Sequence, residues 1–336
     1  MRKQLMATAL IVGMIAGSLA GCGSKTEGTQ PAAPAQSEAA QTEAAKTEAE
    51  KAEESKTEAK TEAPAENVEY GPILSKVKET GKIVAAINAQ SPPWRFHKTV
   101  DGKDKLCGFE ISMCYGLADY LSEKLGTKVE VEINDMTFPG VLASLQAGQI
   151  DFAPSLAGTE ERRQNMDFTI PYHRSLQTIV IKKDKENDEM FKVENNMKAV
   201  RTGSLQGSST SVTFREQYPD AECIDYESTP DIVLAVSNNK IDAAVLNEKY
   251  AILICKANPD LMIDYDLSFD IPVERDPGAS IAIPKGNEDF VEIADEWLEK
   301  ILSDGTFAAY EQEAIKELDD PALLEGFSSK NILNNK

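Results

Sequence analysis

From Gly81 onward, short apolar runs alternate with segments whose apolar residues recur every three or four positions. KIVAAI (82–87) is an apolar run of strand length and predicts a buried strand. Within 109–126, Ile111, Cys114, Ala118, Leu121 and Leu125 step by 3, 4, 3 and 4, which places them on one helix face. Gly126 suits the left-handed residue that ends such a helix. VEVEI (129–133) alternates like a half-buried strand, VLASLQAG (141–148) predicts a short helix, and IDFAPSL (150–156) another strand. In the second half LQTIVIK (176–182), AVRTGSL (199–205), ECIDY (222–226), IDAAVL (241–246) and ASIAIP (279–284) read as strands. Between them fall a helix ending at Tyr218, a helix opening at Thr229-Pro230 and a helix from about Glu248. Thr229 is expected as N-cap, with Pro230 at the first helical position. Asn287 is expected to cap a long helix that stops at SDG (303–305). Strands alternating with helices imply an α/β architecture with mostly parallel sheets.

The first residues follow a different rule. Arg2 and Lys3 precede an apolar run, Leu5 to Ala20, that is short for a permanent span and reads as a secretory signal peptide. It ends in Leu19-Ala20-Gly21-Cys22, which resembles the bacterial lipoprotein box. That resemblance implies cleavage before Cys22 and lipid on its thiol, so that acyl chains anchor the protein without a membrane span. Gly23 to Glu66 contains no Val, Ile, Leu, Met, Phe, Trp or Tyr and repeats Lys-Thr-Glu-Ala at 46–49, 56–59 and 60–63. It cannot bury enough apolar surface to offset its ordering entropy. It reads as a tether, with a root-mean-square span of roughly 35–40 Å if it behaves as a flexible coil.

The formal net charge is -21. Basic patches are what nucleic acid and anionic lipid surfaces require, so so acidic a chain argues against both. Beyond Cys22 the cysteines are Cys107, Cys114, Cys223 and Cys255. An even count outside the cytosol permits two disulfides, with buried free thiols as the alternative. The chain has no CxxC and only two histidines, His97 and His173, so no metal and no cofactor are expected.

LCGFEISMCYGLADYLSEKLG, LASLQAGQIDFAPSLAGTEERRQNMDFTIPY, LQGSS, NNKIDAAVLNE and IAIPKGNEDF…LSDGTFAAYEQE occur in this order. Together they resemble the type II solute-binding proteins that feed polar amino acids to ABC transporters, over nearly everything from Gly81 to Glu317. The resemblance implies the type II periplasmic binding protein fold: two α/β lobes joined by two crossing strands, with the ligand in the cleft between them. The implied organisation is 1–21 signal peptide, 22–67 lipidated cysteine and tether, 68–177 with 279–336 as lobe one, and 178–278 as lobe two. The crossings are expected near Ser175–Lys182 and Asp276–Pro284. The implied partners are a small carboxylate-bearing solute, foremost an amino acid, and an ABC permease with its ATPase. A monomer tethered outside the cytoplasm is expected.

The resemblance also assigns the site. Arg162 holds the arginine position of the T-x-x-R pattern that forks the ligand carboxylate, with Thr159 as N-cap of a short helix. A planar guanidinium matches both carboxylate oxygens, whereas a surface ion pair is its ordinary alternative. Arg163 has no such counterpart and is expected to face solvent. Ser208 and Ser209 follow Gly207 at a strand-to-helix turn that completes the clamp in relatives, or simply cap the helix. Trp94, after Ser-Pro-Pro, is either a pocket wall or core. Four positions depart from the pattern: Asn88 where many relatives have an acid, Ser91 where many have an aromatic, Ala157 for Ser or Thr, and Asn247 for the ammonium-binding aspartate. A ligand-sensing lipoprotein and a dehydratase-like enzyme on the same fold remain alternatives to a transport component.

Overall fold

The structure, a computed structural model, describes residues 69–269, 271–272 and 276–324. The signal peptide, the lipidation expected at Cys22 and the tether all lie outside the described residues.

The first lobe begins with α1 (Pro72–Thr80) and β1 (Lys82–Ile87). The strands β2 (Gln90–Ser91), β3 (Arg95–Val100) and β4 (Lys103–Cys107) then form a small antiparallel sheet that hydrophobic patterning did not announce. Asp101 and Gly102 turn β3 into β4 with φ of 51° and 74°, as a two-residue hairpin turn with both central residues left-handed demands. Helix α2 (Phe109–Leu125) buries the expected Ile111, Cys114, Ala118, Leu121 and Leu125, and Gly126 closes it at φ 65°. Strand β5 (Glu130–Asp135) pairs in parallel with β1. Helix α3 (Phe138–Gln146) starts earlier than expected, because Thr137 caps it by accepting from the Gly140 amide. Strand β6 (Ala153–Ala157), the single-turn α4 (Glu160–Arg163) and β7 (Met166–Phe168) follow.

The second lobe carries β8 (Gln177–Lys182), β9 (Arg201–Leu205), α5 (Ser209–Gln217), β10 (Glu222–Tyr226), α6 (Thr229–Ser237), β11 (Ala243–Asn247), α7 (Glu248–Ala257) and β12 (Leu261–Phe269). Its five-stranded sheet runs β10-β9-β11-β8-β12. The strands β10, β9 and β11 on one side pair in parallel, whereas β8 is antiparallel to both of its neighbours. Strand β13 (Ala279–Pro284) then returns to the first lobe between β6 and β7, antiparallel to both. Helices α8 (Glu288–Ser303) and α9 (Thr306–Lys316) finish the described fold. The sheets are therefore mixed rather than mostly parallel, since every strand that returns from the other lobe enters against its neighbours.

Two expected caps differ. Ser228, not Thr229, is the N-cap of α6 and accepts from the Asp231 amide. Asn287 takes the expected N-cap position of α8, but its side chain makes no capping hydrogen bond. Its Oδ1 accepts from the Ile73 amide at 3.1 Å and its Nδ2 donates to the Pro284 carbonyl at 2.9 Å, tying α1 to the end of β13.

The segments between β7 and β8 and between β12 and β13 connect the lobes and pair with each other. The Tyr172 amide donates to the Ala279 carbonyl at 2.8 Å, and the Ala279 amide to the His173 carbonyl at 2.7 Å. Beneath them lies a buried polar group: Glu110 accepts from Arg95 and, at 2.7 Å, from the Tyr172 hydroxyl. A fully buried carboxylate persists only when paired and hydrogen-bonded in this way.

Cys107 and Cys114 are buried free thiols, and Cys223 and Cys255 are half-buried free thiols. Burial raises all four, Cys255 to about 11, which keeps them protonated and poorly reactive at neutral pH. Among the described residues no cluster of three or more His, Cys, Asp or Glu could hold a metal ion, and no helix is long and apolar enough to cross a membrane.

His97 on β3 bridges Asp104 on β4, at 2.7 Å, and Asp135 on β5, at 3.0 Å. The hydrogen bond to Asp135, aided by Asp104, raises its pKa above 6.5 against the opposing cost of partial burial. A raised folded-state pKa contributes stability fully present below 6.5 and lost as pH rises through the folded value. His97→Gln is therefore expected to lower stability by under about 1 kcal/mol at pH 5.5, the scale of an exposed ion pair. The difference from wild type should shrink toward zero by pH 8.5. Urea denaturation at the two pH values checks this, and an equal difference at both would overturn it.

Candidate functional site

Strand ends, two helix starts and the two connecting segments meet around a cavity of about 200 Å³. Each side chain reaches it for a local reason. At the end of β6 the chain turns through Gly158 into α4, where the Thr159 hydroxyl accepts from the Arg162 amide at 3.4 Å. That cap fixes Arg162 in the first turn and points its guanidinium at the opposite lobe. Nη1 donates back to the Ala157 carbonyl at 3.0 Å, while Nη2 crosses to the Gly207 carbonyl at 2.7 Å. Two of the guanidinium's donors are thus used, and the others remain for a ligand. Burial pulls Arg162 below the ordinary arginine range, and Asp276 and Glu161 pull it back. The Phe138 ring centroid lies 5.9 Å from the guanidinium carbon, within cation–π reach. Arg163 is exposed, donates from Nε to the Gly158 carbonyl at 2.8 Å and does not line the cavity.

On the facing lobe, β9 ends at Leu205 and the chain turns through Gly207 at φ 75° into α5. Ser208 is the N-cap of that helix, accepting from the Ser211 amide at 3.1 Å, and it also lines the cavity. Capping and cavity lining are therefore not exclusive at this residue. Ser209 lines the cavity and donates to Asp276 at 2.6 Å. The N-terminal end of α5 adds its positive dipole end, which favours an anion at that point.

Trp94 is likewise both core and wall: only 4% exposed, it packs its ring 5.4 Å from His173 and 5.9 Å from Phe109 and still lines the cavity. Burial and the Lys249 charge hold His173 well below the ordinary histidine range, hence neutral. Ser91 and Ala157 also line the cavity. Asn247, last residue of β11, precedes α7 without capping it, and its Oδ1 is a buried acceptor with no hydrogen-bond partner at the cavity wall.

Two expected site residues do not reach the cavity. Asn88 is buried and spends its amide on the Met136 carbonyl at 3.1 Å. Thr159 acts through its cap on Arg162 rather than by lining the space. Residues that sequence reasoning missed are Phe138, Ser155, Arg174, Gln177, Tyr250 and Asp276, all of which line the cavity. Ser155 has a signal only in the structure, a left-handed φ of 67° in the middle of β6. Asp276 and Arg174 stand on the connecting segments, where no periodicity marks them. Phe138 could have been found as the aromatic that follows a capping threonine before Pro139.

Comparison with known proteins bears on this arrangement. Residues 83–317 match the model of the bacterial extracellular solute-binding proteins, family 3. The L-cystine-binding protein TcyJ of Escherichia coli K12 is 26% identical over 242 residues, covering 72% of this chain and 85% of the relative. The ABC transporter glutamine-binding protein GlnH of Bacillus subtilis is 27% identical over 250 residues, covering 74% and 86%. Among solved structures, an amino acid ABC transporter substrate-binding protein of Streptococcus pneumoniae bound to L-arginine superposes with a TM-score of 0.64 at 26% identity, covering 73% of this chain and 98% of that one. The chain belongs to the bacterial extracellular solute-binding proteins, family 3, and has the two-lobed fold of the amino acid-binding proteins of ABC transporters.

Proposed function

We propose that this protein captures an amino acid in the cleft between its lobes and presents the closed form to an ABC permease and its ATPase. The observation that carries the reading is the Arg162 guanidinium, half-buried at the cleft and spanning the Ala157 carbonyl of one lobe and the Gly207 carbonyl of the other. A carboxylate placed against its remaining donors and the start of α5 would receive charge-assisted bonds in a water-poor space. Trp94 and Phe138 supply apolar wall for the rest of the ligand. The lobes proposed are 68–177 with 279–336 on one side and 178–278 on the other, the second boundary falling at the start of β13 and the first one residue into β8. Closure would then be a hinge motion at the paired connecting segments. Membrane attachment through lipid on Cys22, a monomeric state and binding without chemical conversion complete the proposal. Relatives named for L-cystine, glutamine and arginine support an amino acid as the solute.

The test is a thermal-shift screen of the full chain in detergent against the proteinogenic L-amino acids, L-cystine and simple carboxylates lacking an amine. At least one amino acid is expected to raise the melting temperature by mass action, about 2.7 kcal/mol of added stability at a hundred times Kd. A response to simple carboxylates alone would overturn the amino acid reading. Chromatography of the recovered responder would disclose any conversion, which would favour an enzyme.

A further inference from the structure

We propose that Asp276, on the segment connecting β12 to β13, is the anionic anchor for the ligand's ammonium group. This rests on the reading of the cavity as an amino acid site.

An ammonium brought into a partly desolvated cavity needs an anion, or it loses its hydration without return. Asn247, at the end of β11, offers only a neutral amide carbonyl. Its Oδ1 is buried and accepts nothing from the protein, so it is an acceptor waiting for a donor. It supplies direction but no charge. Among the described residues lining the cavity, Asp276 is the one carboxylate. It is held in place twice. The Gly278 amide donates to its Oδ1 at 2.8 Å, and the Ser209 hydroxyl donates to its Oδ2 at 2.6 Å. Both partners are uncharged, so they orient the carboxylate without neutralising it. Each oxygen accepts more than one hydrogen bond, so both keep capacity for a further donor.

The first turn of α5 relates the two acceptors. Ser209 binds Asp276, and the next residue, Thr210, donates to Gln177 Oε1 at 3.1 Å. Gln177 pairs directly with Asn247 across β8 and β11. Successive hydroxyls thus tie the charged acceptor on the connecting segment to the strand position beside the neutral one. The other cations at the cavity have partners of their own: Arg95 is matched by Glu110, and Arg174 donates to the Ile271 carbonyl. Arg162 and Asp276 feel each other electrostatically. Arg162 and Asp276 set opposite charges at the cavity, which complements a zwitterion, with Arg174 as a further guanidinium on its wall. Because Asp276 leads into β13 at the crossing, an ammonium held there would also report to the hinge.

The experiment measures binding by calorimetry with the full chain in detergent. The probes are the proteinogenic L-amino acids and L-cystine, each beside its N-acetyl derivative, which keeps the carboxylate and loses the ammonium charge. Free amino acid is expected to bind and its N-acetyl form to bind at least about thirtyfold more weakly, with Asp276→Asn losing affinity for the free form by a similar factor. Ser209→Ala, which loosens the carboxylate without removing it, should lose severalfold. Circular dichroism and the melting temperature without ligand report whether each variant folds, and if Asp276→Asn does not, Ser209→Ala decides. Unchanged affinity in the folded variant, or equal binding of N-acetyl and free forms, overturns the assignment of Asp276 and leaves the carboxylate clamp standing. No binding of any amino acid overturns the proposed function itself.

Discussion

Arg162→Ala is expected to abolish the ligand-induced rise in melting temperature. The side chain spans the cavity through its own hydrogen bonds, to Ala157 on one side and Gly207 on the other. Removing it subtracts twice. The ligand carboxylate loses charge-assisted bonds, and truncating one member of such a buried pair costs about 2–5 kcal/mol. The closed arrangement also loses the bond that crosses the cleft, so a larger share of molecules stays open and apparent affinity falls further. The sum exceeds the stabilisation that a hundredfold excess of ligand over Kd can give, about 2.7 kcal/mol. Arg162→Lys separates charge from geometry. An ammonium keeps the charge but cannot fork the carboxylate or reach two carbonyls in one plane, so binding should be weak rather than absent. The unliganded melting temperature should change little in either variant, because α4 is a single exposed turn outside the core clusters. An unaltered ligand shift in Arg162→Ala would remove the carboxylate clamp from the site.

The placement of Arg162 could be read from the sequence because it follows from local rules, whereas the role proposed for it at a ligand carboxylate comes from the family resemblance. A threonine three residues before an arginine, after an apolar strand, gives a cap and a first-turn cation, and α2 was readable because its buried face has the helical period. What stayed hidden lies where local pattern carries no information. The β3–β4 hairpin is mostly exposed on both faces, so its residues do not alternate. Asn88, just after β1, and Ser91, at the end of β2, are three residues apart, yet Ser91 lines the cavity and Asn88 turns to Met136. The Met136 carbonyl, 48 residues on in the chain, is what draws Asn88 away. Asp276 belongs to a connector whose position is set by the pairing of His173 with Ala279, more than 100 residues apart in sequence. Lys249 is the second residue of α7, EKYAILICKA, where a lysine next to Glu248 gives no sign of burial.

Lys249 is instead among the most deeply buried side chains of the molecule, and breaking its pair is the second large effect expected. It lies on α7 of the second lobe, 1% exposed, with its Nζ 3.0 Å from Glu311 Oε1 on α9 of the first lobe. Its Nζ is 5.4 Å from the centroid of the Trp94 ring at the cavity wall. Ile252 and Leu253 of α7 pack against an apolar cluster that includes Ile315 and Leu318, close to the pair in sequence. Burial pulls Lys249 below the ordinary lysine range, and Glu311 opposes that pull. Removing one partner of a buried pair costs about 3–5 kcal/mol, because the remaining charge loses its nearest opposite charge. Glu311→Gln should therefore lower the melting temperature by about 10 °C, at roughly 2–4 °C per kcal/mol for a domain of this size. The pH dependence has a definite sign. Without Glu311 the folded-state pKa of Lys249 falls further below 10.5, so the unfolded chain binds more protons across the interval between the two values. Stability of the variant then rises with pH through that interval, and its deficit relative to wild type narrows in alkaline buffer. Lys249→Met combined with Glu311→Leu removes both charges at once and should recover most of the loss, because a well-packed apolar pair of similar volume is often as stable as a buried ion pair. Urea denaturation of the single and double variants at pH 7 and pH 9.5 measures all three quantities. A deficit below about 1 kcal/mol in Glu311→Gln would show that water reaches the pair, and that the lobes part there more easily than their packing implies.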